Sequence, residues 1–125
     1  GMIREPLSGS PSNVPVPMET EVALNSPEQA VDGLIYVMGI SDSDWGSPLG
    51  LNLPGTRISV EGMIHALAQV GGSEALSHLT YRPDPVIHDI VSGWPSHFES
   101  ARATRLRLGG SEIFSAVVKR FQKSR

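Results

Sequence analysis

Apolar residues recur at helical spacing in four stretches of the chain. Ala30, Val31, Leu34, Ile35 and Met38 form the first, and Val60, Met63, Ile64, Leu67 and Val70 the second. Val86, Ile87, Ile90 and Val91 form the third, and Ile113, Phe114, Val117, Val118 and Phe121 the fourth. Steps of three and four place such residues on one helical face, so each stretch predicts an amphipathic helix. The start signals agree. Ser26-Pro27-Glu28-Gln29 offers a cap, a proline at the first helical position and the glutamine of a capping box. Ser59 caps the second helix and Asp84 the third, and Ser111 opens the last. Gly39 and Gly71-Gly72 are the stops of the first two. Shorter helical segments are predicted over Ser73 to His78 and near Ser100 to Leu106.

Three short strands are predicted between the helices: Glu21 to Leu24, Leu51-Asn52-Leu53 and Leu79 to Arg82. Residues 5–17 carry four prolines, each fixing φ and removing a donor, so this stretch reads as extended or irregular. Ser41 to Pro48 is polar and turn-rich, and Trp94-Pro95 breaks the chain. The expected fold is α/β in the loose, α+β sense: mainly helical, with a few short strands, in a single domain over residues 2–125. Gly1 ahead of Met2 is read as the scar of a cleaved tag.

With 125 residues, 39% of them hydrophobic, the chain is long enough for one core. It has no cysteine, which removes disulfides, thiolate metal sites and a cysteine nucleophile. No apolar stretch approaches the about 20 residues of a membrane span, and no charged-then-apolar leader is visible, so no membrane association and a cytoplasmic location are expected. The net charge of −3 is unevenly spread. Residues 102–125 hold seven of the ten basic side chains and only one acidic one, Glu112. A basic tail can serve nucleic acid, but no aromatic interleaving accompanies it. Lys119, Arg120, Lys123 and Arg125 at the end of a helix complement its dipole instead, so no nucleic-acid partner is expected.

The most informative run is Gly93-Trp94-Pro95-Ser96-His97-Phe98-Glu99-Ser100-Ala101-Arg102-Ala103, closing on Leu108-Gly109. It resembles the W-P-x-x-F-[DE]-x-x-R-A tail signature of the extended short-chain dehydrogenases, the NAD-dependent epimerase/dehydratase family. Other blocks resemble the family in the same order. They are Ile3-Arg4-Glu5-Pro6-Leu7, then Ser26 to Met38, Leu51-Asn52-Leu53-Pro54-Gly55 with Ser59-Val60-Glu61, and Arg82-Pro83-Asp84-Pro85. The set is most similar to the branch that includes D-erythronate dehydrogenases and nucleoside-diphosphate-sugar epimerases.

The resemblance implies the C-terminal, substrate-binding region of such an enzyme, without its Rossmann cofactor half. In the family that half carries G-x-x-G-x-x-G, whose glycines let the backbone approach the cofactor pyrophosphate. It also carries Y-x-x-x-K, whose lysine lowers the tyrosine pKa for acid–base work. Neither run occurs here: Tyr36 is followed four residues later by Ile40, and Tyr81 by Pro85. No catalytic and no cofactor-binding residue carries over, so the chain alone is expected to be inactive, with NAD or NADP belonging to the parent family. Glu99 stands where the family usually has a capping aspartate, and Gly110 where an aromatic usually follows Leu-Gly, so the helix after Glu99 is expected to fray.

The resemblance places Arg4 and Arg82 near the mouth of the substrate pocket, where a planar guanidinium fork suits a carboxylate or phosphate. The alternative for each is a solvated surface arginine. Trp94 lines the same pocket in this reading; read from the residue alone it is a packed aromatic at a proline-fixed corner. His97 reads as surface. No pair among His65, His78, His88 and His97 has the i, i+4 spacing of a helical zinc site, and Asp42-x-Asp44-x-Gly46 lacks the remaining ligands of a calcium loop, so no metal is expected. No G-x-S-x-G elbow marks a hydrolase.

The expected function is therefore a catalytically incomplete substrate-binding domain for a sugar, sugar acid or nucleotide sugar. The alternative is a non-catalytic binding or regulatory module acting by self-association or with a partner chain. In the family, the segment matching residues 51–53 is an edge strand of the nucleotide-binding sheet, and the helix matching Ser26 to Met38 packs beside it. Both would lack cover here, and a homodimer or larger homo-oligomer through residues 30–38 or 51–54 is expected.

Overall fold

The computed structural model describes residues 1–124. The elements run α1 (Arg4–Leu7), β1 (Ser12–Val14), β2 (Glu21–Leu24), α2 (Pro27–Val37), α3 (Asp42–Trp45), β3 (Thr56–Ser59), α4 (Val60–Ser77), β4 (Leu79–Tyr81), α5 (Pro85–Ser92), α6 (Ala101–Arg105) and α7 (Phe114–Lys123). The strands form two separate pairs. β1 and β4 are parallel, with Ser12 opposite Leu79 and Val14 opposite Tyr81, so the whole intervening chain is their crossover. β2 and β3 are antiparallel, with Glu21 opposite Ser59 and Leu24 opposite Thr56.

Helix starts follow the capping chemistry of the sequence. Ser26 Oγ accepts from the amide of Gln29 at 3.1 Å, and Gln29 Oε1 accepts from the amide of Ser26 at 3.1 Å, which closes the capping box. Ser59 Oγ accepts from the Gly62 amide, and Asp84 Oδ1 accepts from Val86 and Ile87. α4 and the short helix after it are one element with a kink at Gly72, where φ is +64° and ψ −161°, a conformation only glycine adopts without strain. The stop at Gly71-Gly72 and the restart at Ser73 are two sides of that kink.

Four expectations are corrected. Residues 5–17 are extended at β1, as expected, but begin within the helical turn α1, which runs to Leu7. Ser41 to Pro48 contains the single turn α3, capped by Ser41. Leu51-Asn52-Leu53 is not a strand. Pro54 has no amide to give, and no strand lies alongside among the described residues, so the antiparallel partner of β2 begins at Thr56. The alternation did report burial, since Leu51 and Leu53 pack inward and Asn52 is exposed. The last helix begins at Phe114 and not Ser111, because the backbone ahead of it is tied to β3: the Glu112 amide donates to Thr56 Oγ1 at 2.7 Å. Ile113 is accordingly exposed.

α6 does not depend on residue 99. Ser100 Oγ accepts from the Ala103 amide at 3.1 Å and caps it, so the expected fraying from Glu99 loses its cause.

Two apolar centres hold these pieces. Val14, Val16 and Val60 pack with Met2, Met18, Ile64, Leu79 and Val91 around the parallel pair. Ala103, Leu106 and Leu108 pack with Val37, Ile40, Trp45, Leu51 and Leu53 beside α2. Between them α4 buries Met63, Ala66 and Leu67 and packs along α7, whose Val118 is buried. The predicted apolar face of α2 stays outside. Leu34 is 70% exposed and Met38 87%, and Val31 and Ile35 are also exposed.

Candidate functional site

A cleft of about 330 Å³ opens where the approach to β2 meets α5 and the turn beyond it. One wall is Pro17, Glu19, Thr20 and Glu21; the other is His88, Val91 and Ser92, closed by Trp94 and Ser96. Asp84 starts α5 by accepting two amides, and the one-turn repeat then sets His88 and Ser92 on the same side. Trp94 is 56% exposed, so it is not the packed aromatic that its proline corner alone implies. It lines the cleft as its one aromatic residue.

The polar groups are defined by their hydrogen bonds. Ser92 Oγ donates to the carbonyl of His88 at 2.7 Å. The same hydroxyl lies 3.4 Å from His88 Nε2. His88 Nδ1 is buried without a hydrogen-bond partner among the described residues. On the opposite wall Arg57 donates to the Glu21 carboxylate, with Nε at 2.8 Å. Glu19 is exposed and carries no ion pair among the described residues. A tryptophan, two glutamates, a histidine and serine hydroxyls in one lining suit a ligand rich in hydroxyl groups.

The other expected site residues lie elsewhere. Arg82 lines a second depression of about 330 Å³ with Pro11, Ser12, Asn13 and Thr80, beside the parallel strands. Its backbone is fixed, since its amide donates to the Val14 carbonyl at 3.2 Å and its carbonyl accepts from Asn13 Nδ2 at 3.0 Å. Its side chain is exposed and pairs with no other group among the described residues. Arg4, on α1, donates to Glu5 at 2.7 Å. The Arg4 guanidinium beside Glu5 holds that carboxyl below the ordinary carboxylate range. The two clefts share no residue, and Arg4 lines neither. His97 is exposed and contacts Glu99 at 3.0 Å. Among the described residues no three His, Asp or Glu side chains gather as a metal site, and no helix is long and apolar enough to cross a membrane.

Sequence reasoning missed His88 as a lining residue, treating it only as one of four histidines to be tested for metal. The i, i+4 pair with Ser92 and the nearby Trp94 were the available signal. It also missed Arg102 beyond its place in the tail signature. That side chain donates to the carbonyls of Pro48 and Gly50 and stacks 5.4 Å from the Trp45 ring centroid, which clamps the loop 46–50 to α6.

No family model matches the chain. It is 33% identical over 123 residues to D-erythronate dehydrogenase of Cupriavidus necator, covering 98% of this chain and 38% of the relative. The D-erythronate dehydrogenase of Haemophilus influenzae is 32% identical over 120 residues, with 96% and 38% covered. The crystal structure of a nucleoside-diphosphate-sugar epimerase from Agrobacterium tumefaciens superimposes with a TM-score of 0.85 at 31% identity, covering 94% of this chain and 34% of that one. The chain thus spans little more than a third of the proteins it matches. In sequence and in fold, it resembles the C-terminal part of an extended short-chain dehydrogenase of the epimerase/dehydratase type.

Proposed function

We propose that the chain is the substrate-binding region of an NAD(P)-dependent dehydrogenase or epimerase that acts on a sugar, a sugar acid or a nucleotide sugar, and that it has no cofactor site of its own. The Trp94 cleft carries this reading: a tryptophan, two glutamates, a histidine and serine hydroxyls line it. The names of the matched relatives, a sugar-acid dehydrogenase and a nucleotide-sugar epimerase, agree in substrate class. The missing glycine run and Tyr–Lys pair support the absence of a cofactor site. Arg82 and Arg4 are the proposed contacts for an anionic end of the substrate, in a wider pocket than the Trp94 cleft alone.

Within the chain, the division of labour follows from chemistry. Trp94 supplies the surface on which the C–H face of a sugar lies. The exposed Glu19 carboxylate accepts hydroxyl hydrogens and orients the carbon to be oxidised or inverted. Hydride chemistry would be supplied by a nicotinamide cofactor held outside this chain. Calorimetric titration with D-erythronate and with a uridine-diphosphate sugar tests the reading. Saturable binding by either is expected, weakened about tenfold in Trp94→Ala; Arg82→Ala weakens both, since each is an anion, but leaves the binding of neutral erythritol and the melting temperature nearly unchanged. Binding that ignores both substitutions would remove this site from consideration.

A second reading, a non-catalytic module acting by self-association, draws support from one feature: the uncovered face Val31, Leu34, Ile35 and Met38 of α2.

A further inference from the structure

A separate cleft of about 280 Å³ lies between α2 and the segment joining α6 to α7. Its walls are tied together, since Gln29 Nε2 donates to the Gly110 carbonyl at 3.3 Å. Gly109, also in the lining, abuts Pro54: its φ is +81°, and a Cβ there would fall 2.8 Å from the Pro54 carbonyl oxygen. Leu53 and Leu108 form an apolar floor.

Two opposite charges face this cleft without using each other. Arg107 and Asp32 both line it, and neither takes part in any ion pair or side-chain hydrogen bond among the described residues. Tyr36 adds a ring and a hydroxyl to the wall that carries Asp32. At the base, Asn25 donates to the Leu53 carbonyl at 3.4 Å, while its Oδ1 is buried with no partner.

The backbone at Arg107 is the second observation. It sits just past α6 with φ +56°, and is the one non-glycine residue with positive φ among those described. The Leu108 amide donates to the Ala103 carbonyl at 2.8 Å and the Arg107 amide to the Thr104 carbonyl at 3.0 Å, which makes this a Schellman turn. Glycine is the usual residue in that left-handed position. An arginine held there against the backbone preference, unpaired and lining both this cleft and the neighbouring one beside Phe98 and Thr104, is strain at a place where the side chain is of use.

We infer that this cleft binds a small zwitterion of the α-amino acid type, its carboxylate on Arg107 and its ammonium between Asp32 and the Tyr36 ring. The guanidinium fork takes a carboxylate through two parallel hydrogen bonds. The carboxylate of Asp32 and the face of Tyr36 both attract an ammonium group. A simple anion would meet Asp32 as a repulsion, and a simple cation would meet Arg107. The volume lies just below the roughly 300–1,000 Å³ of drug-sized sites, which fits a ligand of amino-acid size.

Arg107→Gly is a clean test variant, because it removes the guanidinium while relieving the backbone. Its melting temperature should hold or rise. A heteronuclear NMR titration with L-alanine should give saturable shifts in residues 25–36 and 107–109, with a dissociation constant below about 10 mM. Propionate and ethylamine, each carrying half of the charge pair, should bind at least about tenfold more weakly. Arg107→Gly and Asp32→Asn should each weaken L-alanine by about tenfold. The inference is overturned by the absence of saturable shifts in these residues. Propionate or ethylamine binding as tightly as L-alanine overturns it too, as does unchanged affinity in either variant.

Discussion

Replacing Arg102 with alanine should lower stability by about 2 kcal/mol, the net left when charge-assisted bonds are exchanged for water at a half-exposed site. Its guanidinium donates to the Pro48 and Gly50 carbonyls and lies over the Trp45 ring, and Trp45 in turn donates through Nε1 to the Leu49 carbonyl at 3.0 Å. Loop 46–50 carries two glycines and a proline and belongs to no element, so these contacts fix its path. Trp45 also packs on the Ala103–Leu106–Leu108 centre, so releasing the loop loosens one of the two apolar clusters. In thermal unfolding the melting temperature should fall by roughly 5–10 °C, with the fluorescence of Trp45 shifting toward that of a solvated indole. Arg102→Lys should recover little, since one ammonium cannot span two carbonyls and stack on the ring. A variant as stable as the parent chain would show that the loop holds itself.

The second large effect concerns association. Covering a large aliphatic side chain is worth roughly 1.5–3 kcal/mol, and α2 leaves Val31, Leu34, Ile35 and Met38 in water. In a pure preparation another copy of the chain is the available cover, and a two-fold dimer is the commonest closed arrangement. We therefore expect a homodimer at micromolar concentration whose interface includes residues 30–38. Leu34→Asp sets a carboxylate in that face and should raise the dissociation constant by roughly 100-fold, with light scattering falling to the monomer mass. A monomeric parent chain, or a dimer indifferent to the substitution, would contradict this.

The sequence was legible where a side chain acts on its own backbone. Ser26, Ser59 and Asp84 cap α2, α4 and α5 as their types dictate, because a capping bond is local. It was less legible where a distant segment decides. Leu51-Asn52-Leu53 has the alternation of a strand, but pairing needs a neighbour that the pattern cannot reveal. The start of α7 was displaced by Thr56, 56 residues before Glu112, a contact with no trace in the local run. The periodicity of α2 marked an apolar face correctly without saying that nothing in this chain covers it. Site residues divide along the same line. Trp94 was visible through its motif, whereas His88 enters the Trp94 cleft only because α5 packs beside the approach to β2. Arg107 gave no signal, since its interest lies in a positive φ that only the folded backbone shows.

The most direct measurement for the central claim is one NMR titration of the chain, first with NAD and NADP and then with D-erythronate. The account predicts no saturable shift with either dinucleotide at about millimolar concentration, followed by saturable shifts at His88, Ser92, Trp94 and residues 17–21 with the sugar acid. Micromolar binding of NAD or NADP, or a sugar-acid response absent from these residues, would contradict it.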